Sequence, residues 1–186
     1  KTLAKFTHFV SRNCMNIDGL SEKTLESLIS HDFLHTYKDI YHLSEHRQAL
    51  TRLEGMGEKS VSTLLKSIEN SRDVKLGNFI AALGIPDVGI STAKDMAAYC
   101  NEDVKKFISM TCGGRWEIVD GIGFNTACKI SNFMKDNVNE IYDLASEMRF
   151  VKNERKEVAK NPFSGKTLCV TGKLNHFTRD SMNEKI

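Results

Sequence analysis

The chain contains 186 residues, 40% of them hydrophobic and 27% charged, and its formal net charge is +2 at pH 7. This composition is typical of a globular protein with one domain or two small ones. We expect no membrane span and no signal segment, because no apolar run is long enough to cross a bilayer and no basic-then-apolar segment opens the chain. The small positive charge argues against a strongly basic nucleic-acid binder. Any DNA binding would have to come from backbone amides and a few local cations.

Apolar residues at 3.6-residue spacing predict a mainly α-helical chain, and only two prolines interrupt it. The predicted helices cover residues 2–12, 22–29, 37–43, 45–50, 58–70, 76–83, 91–99, 104–110, 125–134 and 139–148. Residues 149–166 hold six basic residues against two acids, which favours a solvated linker over an arm that contacts phosphates. The best strand candidate is residues 167–171, which Gly172 ends.

Neither the cysteines nor the histidines have the spacing of a metal site. The five cysteines are Cys14, Cys100, Cys112, Cys128 and Cys169. Their number is odd and no two form a Cys-x-x-Cys pair, so we predict free thiols and no zinc site within this chain. No catalytic constellation is present either. Asn16 stands where the nucleophilic lysine of a Lys-x-Asp-Gly nucleotidyl-transfer motif would be.

Aromatic residues are expected mainly in the core. The phenylalanines with apolar neighbours are Phe6, Phe9, Phe33, Phe79, Phe107 and Phe133. The role of Trp116, which follows Arg115, stays open between core packing and contact with nucleic acid.

One short motif occurs four times and organises the rest of the chain. One full copy is Gly55-Met56-Gly57, two glycines around an apolar residue, directly before a predicted helix. Glycine takes positive φ readily and allows another backbone to come close. The first amides of the following helix have no intrahelical acceptor and form a ready anion site. A dinucleotide-binding loop is excluded, because it needs a preceding strand and a third glycine.

The four copies are in register, with their first positions at residues 19, 55, 87 and 121. Each has a hydroxyl residue at the same offset, followed by a small or aliphatic residue suited to close helix packing. Ser21 and Asp87 replace glycines, so the first and third turns are expected to be distorted or to serve packing. We interpret the four copies as helix-hairpin-helix turns that hold phosphates of nucleic acid on backbone N–H groups.

The candidate DNA-binding residues are those of the four turns and of the first turn of each following helix. They are Gly19, Leu20, Ser21, Lys23, Thr24, Gly55, Met56, Gly57, Lys59, Ser60, Gly89, Ser91, Thr92, Gly121, Gly123, Asn125 and Thr126. The hydroxyls could bond local backbone or donate to phosphate. Lys23 and Lys59 should make the first two turns bind phosphate more strongly than the turns with Ser91 and Asn125. Contacts of this kind position a protein on DNA without reading its sequence.

These segments resemble the tandem helix-hairpin-helix domain of bacterial NAD-dependent DNA ligases. The resemblance covers residues 1–150 and is carried by residues 9–12, 15–20, 53–60, 82–85 and 88–89. Residues 163–167, 170–174 and 178–180 are similar to the beginning of that family's BRCT domain. The resemblance therefore implies a tandem helix-hairpin-helix domain over residues 1–150, a basic linker over 151–162, and an incomplete α/β BRCT domain over 163–186, limited to its first strand and helix.

The family implies a cytoplasmic bacterial enzyme that seals nicks in DNA replication and repair. It uses NAD as adenylate donor, with a divalent metal and a four-cysteine zinc finger in parts of the protein that would precede residue 1. By this resemblance the chain binds no cofactor itself, has no catalytic residue and is inactive alone. It would grip nicked double-stranded DNA by the phosphate backbone and minor groove. It is expected to be monomeric, with association possible through the truncated BRCT portion.

Two alternatives remain open from the sequence. The turns could form the scaffold of another repair protein, such as a nuclease or a Holliday-junction protein, which would favour branched DNA. Alternatively, the BRCT portion and the basic segment could make the chain a protein-interaction module.

Overall fold

The chain is mainly helical in a computed structural model that describes residues 2–110 and 115–152. The helices are α1 (Thr2–Val10), α2 (Glu22–Ser30), α3 (Tyr37–Ile40), α4 (Arg47–Leu50), α5 (Glu58–Ser71), α6 (Leu76–Ala82), α7 (Ile90–Tyr99), α8 (Val104–Ser109) and α9 (Phe124–Ser146). The strands are β1 (Asp73–Val74) and β2 (Arg149–Phe150), and 3₁₀ turns lie at Leu43–His46 and Trp116–Ile118. The predicted BRCT beginning, and the predicted linker beyond Lys152, lie outside the described residues. Within the described ranges, no helix is both long and apolar enough to cross a membrane.

The apolar faces of the helices form one hydrophobic core in this part of the chain. On α5, Val61, Leu64 and Ile68 are buried at the three- and four-residue spacing that places them on one face. Of the predicted aromatic core residues, four are buried and Phe33 and Phe133 are partly buried. Trp116 is fully buried, so its indole packs in the core and does not contact a ligand at the surface.

Close approach of α6 and α7 depends on Gly77. A Cβ at this position would lie 3.2 Å from the Cα of Lys94, which is tighter than ordinary van der Waals contact. These two helices flank the third turn, so their contact fixes the direction in which the chain enters and leaves it.

Helix α9 corrects one sequence prediction. Residues 125–134 and 139–148 were expected to form two helices, whereas one helix runs over all 23 residues from Phe124 to Ser146. The intervening segment contains no glycine or proline to break the helix, and the Asn137 side chain donates to the Phe133 carbonyl at 2.7 Å. Met134 and Ile141 are buried on either side of it, so the apolar stripe continues through the predicted gap.

Strands β1 and β2 join the ends of α5 and α9 and were not predicted. They pair in parallel, with Asp73 opposite Arg149 and Val74 opposite Phe150. Arg149 Nε donates to Asp73 Oδ1 at 2.7 Å, and its Nη1 donates to Glu69 Oε1 at 2.7 Å. The salt bridges therefore bind residues of α5 and β1 to a residue of β2.

Arg72 makes the reciprocal connection, from the end of α5 to the end of α9. Its Nη1 donates to the Glu147 carboxylate at 2.7 Å and to the Glu147 carbonyl at 2.9 Å. Its Nη2 donates to the Tyr41 carbonyl at 3.0 Å, and its Nε donates to Glu69 at 2.8 Å. Burial alone would raise the pKa of Glu147, but hydrogen bonds from Arg72 and His42 outweigh it and lower that pKa.

Candidate nucleic-acid interface

The four turns have the same backbone conformation at their first position. Its φ angle is +93° at Gly19, +78° at Gly55, +62° at Asp87 and +79° at Gly121, all in the left-handed region. Aspartate tolerates this region better than most residues do. The third turn is therefore not distorted, because Asp87 adopts the same conformation as the glycines, and this leaves the predicted packing role.

The second position of each turn is the N-cap of the next helix. Ser21, Gly57, Gly89 and Gly123 all have extended backbone, with φ between −64° and −84°. In each case the N-cap carbonyl accepts the first helical hydrogen bond, at 2.8 to 3.0 Å, from the small or aliphatic residue four positions later. Those donors are Leu25, Val61, Ala93 and Ala127. The four units therefore share the backbone register that the sequence predicts.

Three of the turns leave their first helical amides without a side-chain cap, because glycine occupies the N-cap. No side chain accepts from the amides that follow Gly57, Gly89 or Gly123 among the described residues. These N–H groups carry the positive end of the helix dipole and are the groups that bind anions at helix N-termini.

The first turn differs because Ser21 caps its own helix. The Thr24 amide donates to Ser21 Oγ at 3.2 Å, and the two hydroxyls lie 2.9 Å apart. For Thr24, local hydrogen bonding thus accounts for the hydroxyl. Serine replaces glycine here without distortion, and this leaves the predicted packing role for the first turn as well.

The glycine turns are open to an approaching molecule. A Cβ built at Gly55, Gly57, Gly89, Gly121 or Gly123 would meet no atom within 4 Å. The polar side chains predicted to accompany the amides are exposed, namely Lys23, Lys59, Ser60, Ser91 and Asn125, whereas Thr92 and Thr126 are partly exposed.

Leu20 and Met56, predicted among the DNA-binding residues, can contact a ligand only through their main chain. Their side chains are buried, with relative exposures of 5% and 8%, in the hydrophobic core. The apolar residue between the two small positions anchors its turn to the core. A ligand of the turn could reach only the main chain of these two residues.

The turns are packed in two pairs. In the first pair, the Asp18 amide donates to Ser67 Oγ of α5 at 2.8 Å, and a Cβ at Gly19 would touch Leu64 of α5. In the second pair, Lys129 of α9 forms a salt bridge with Asp87. The first turn thus rests on the helix that begins at the second turn, and the third rests on the helix that begins at the fourth.

Sequence reasoning missed two residues next to the turns. Arg47 donates to Glu58 at 2.5 and 3.0 Å and so neutralises a carboxylate beside the open amides of α5. Phe124, the first residue of α9, is 70% exposed. Arg47 and Glu58 are eleven residues apart and lie in different helices, so no local sequence pattern predicts their ion pair. Phe124 could have been noticed as the aromatic residue at the position held by Glu22 in the first turn and by Glu58 in the second.

Proteins named DNA ligase are similar to nearly the whole chain. A DNA ligase of Lachnoclostridium phytofermentans is 38% identical over 180 residues, covering 96% of this chain and 27% of the relative. One from Halalkalibacterium halodurans is 41% identical, with the same coverages. One from Fusobacterium nucleatum is 35% identical over all of this chain and 27% of the relative.

This chain spans about a quarter of the length of these curated relatives. No protein-family model matches it. The resemblance to DNA ligases that the turn motifs indicate is confirmed, because these relatives are named DNA ligase. By its sequence, the chain corresponds to a segment of the DNA ligases.

Proposed function

We propose that this chain binds duplex DNA without sequence specificity, through its helix-hairpin-helix turns, as the non-catalytic part of an NAD-dependent DNA ligase. The observation that supports this most directly is the set of uncapped amides after Gly57, Gly89 and Gly123, which share one backbone geometry and open onto free space. The names of the relatives, DNA ligase, support DNA as the molecule that is bound.

The phosphate backbone is the part of DNA that suits this arrangement. Phosphate oxygens accept hydrogen bonds from backbone N–H groups at helix N-termini, and the helix dipole favours their charge. Such contacts carry no sequence information, as a nick-sealing enzyme requires, because nicks occur in any sequence. Lys59 adds a cation beside the open amides of α5.

In this proposal, the catalytic chemistry of the full-length ligase takes place in parts of the protein outside this chain. NAD, a divalent metal and zinc would be held there, and this chain would contribute grip on the nicked duplex. In this proposal the isolated chain is monomeric, binds DNA modestly and seals nothing. The parent is a cytoplasmic bacterial protein.

Valine substitutions at the glycine N-caps test the proposal. Gly57 and Gly123 have extended backbone that valine also adopts, and a Cβ there meets no atom within 4 Å. Gly57→Val and Gly123→Val should therefore fold normally while blocking the approach of a phosphate. We expect each to weaken binding to a fluorescein-labelled nicked duplex by at least several-fold in fluorescence anisotropy.

Ala98→Val is the matched control, because Ala98 is exposed near the C-terminal end of α7, eight residues after the first residue of that helix. It should leave binding unchanged. Circular dichroism and thermal melting would verify that all three variants keep their helices. Unchanged affinity in both glycine variants would refute the assigned role of the turns.

A further inference from the structure

The residue directly after each N-cap divides the turns into two chemical kinds. In the first two turns it is an acid, Glu22 or Glu58, followed by a lysine. In the last two turns it is apolar, Ile90 or Phe124, followed by a neutral polar residue. The backbone of all four is alike, so the difference lies in what the side chains offer to a bound molecule.

Phe124 is the most exposed large hydrophobic side chain among the described residues. Its relative exposure is 70%, and that of Ile118 is 61%. Ile118 is the last residue of the 3₁₀ turn that precedes the fourth turn, and this 3₁₀ turn contacts α9. Two exposed apolar side chains therefore flank the fourth turn, one of the three whose amides are uncapped.

We propose that Phe124 packs against the deoxyribose next to the phosphate that the first amides of α9 hold. This inference rests on the proposed function. Phe124 carries one of the uncapped amides itself, so a phosphate bound there brings its attached sugar within reach of the same residue's ring. The carbons of deoxyribose form the apolar part of the DNA backbone, and removing them from water together with an exposed phenyl ring is favourable.

Salt dependence separates this contact from an ionic one. A lysine that neutralises a phosphate contributes about one unit to the slope of log K against log salt, whereas an apolar contact releases no counterion. Phe124→Ala should lower affinity about tenfold, the fold-change that corresponds to burying most of a phenylalanine ring. This factor should be the same at every salt concentration. Lys59→Ala should instead make the slope shallower by about one.

The experiment measures anisotropy on a nicked duplex across a salt series, with the full chain. Phe124→Leu should retain most of the affinity, because leucine keeps an apolar surface. Tyr142→Ala is the control: Tyr142 is 64% exposed and lies on the same face of α9, about 27 Å along the helix at 1.5 Å per residue. It should bind normally.

The possible outcomes distinguish the two proposals. Normal binding by Phe124→Ala, with weak binding by Gly123→Val, would overturn the sugar contact and leave the amide site in place. A changed salt slope in Phe124→Ala, or an equal loss in Tyr142→Ala, would also overturn it. If the glycine variants bind normally as well, the proposed function fails and this inference fails with it.

Discussion

Replacing Arg72 by methionine tests whether the junction of α5, α9 and β2 stabilises the fold. Arg72 is 17% exposed in its side chain, as is its partner Glu147. It donates to two carboxylates and two carbonyl oxygens at 2.7 to 3.0 Å, and its guanidinium lies 5.0 Å from the Tyr41 ring centroid. Methionine preserves much of the length and apolar surface of the stem but removes every donor.

The expected loss follows from what the substitution leaves behind. Removing one member of a buried ion pair typically destabilises a protein by about 3–5 kcal/mol, because the other charge stays buried. Glu147 retains some exposure to water and a hydrogen bond with His42 at 3.0 Å, so part of this loss is recovered. We therefore expect Arg72→Met to lower the free energy of unfolding by about 2–4 kcal/mol.

Urea denaturation followed by circular dichroism measures this directly, provided that the m-value stays unchanged. Arg149→Met is the matched control. Its guanidinium also bonds two carboxylates, but it and they are more than half exposed, so water replaces the lost contacts and the effect should be much smaller. Equal losses in the two variants, or no loss in Arg72→Met, would refute the argument from burial.

Two further predictions concern charge. Gly57→Asp should keep or slightly raise stability, because aspartate is a favoured N-cap, yet weaken DNA binding more than the neutral cap of Gly57→Asn does; equal binding by the two would contradict phosphate binding at that amide cluster. Hydrogen bonds with Glu45 and then Glu147 raise the pKa of His42 above its ordinary value of about 6.5. A raised folded pKa contributes stability that is complete below the unfolded pKa and disappears as the pH rises through the folded one. The destabilisation caused by His42→Gln should accordingly be larger near pH 5.5 than near pH 8.5, and a difference independent of pH in urea titrations would refute this.

The spacing of the turns was predictable because their information is local. A small residue, an apolar anchor, a second small residue and a hydroxyl recur at fixed offsets, and each element acts through its own backbone or its immediate neighbours. Even Asp87 conforms, because the left-handed region tolerates aspartate. The apolar identity of the residue between the two small positions is equally local, but the burial of Leu20 and Met56 was not predicted from it.

Contacts between residues far apart in the sequence left no local sequence pattern from which they could be predicted. Arg72 meets Glu147 across 75 residues of sequence, and β1 meets β2 at a similar separation. Two-residue strands are too short for an alternating pattern to reveal them. The continuity of α9 was missed because Asp136, Asn137 and Asn139 have weak helix propensity, which the burial of Met134 and Ile141 outweighs.

The structure also changes the expected ranking of the turns. Sequence alone favoured the two that carry Lys23 and Lys59 over the other two. However, the Ser21 hydroxyl already accepts from an amide of α2, so the first turn combines a cation with a capped helix terminus. The last two turns combine uncapped termini with no lysine. Of the four turns, only the one at Gly57 has both uncapped amides and a lysine, Lys59, as the second residue of the helix that follows. We therefore expect Gly57→Val to weaken DNA binding more than Gly123→Val does, and a reversed order in the anisotropy series would show that the local cation adds little to the amides.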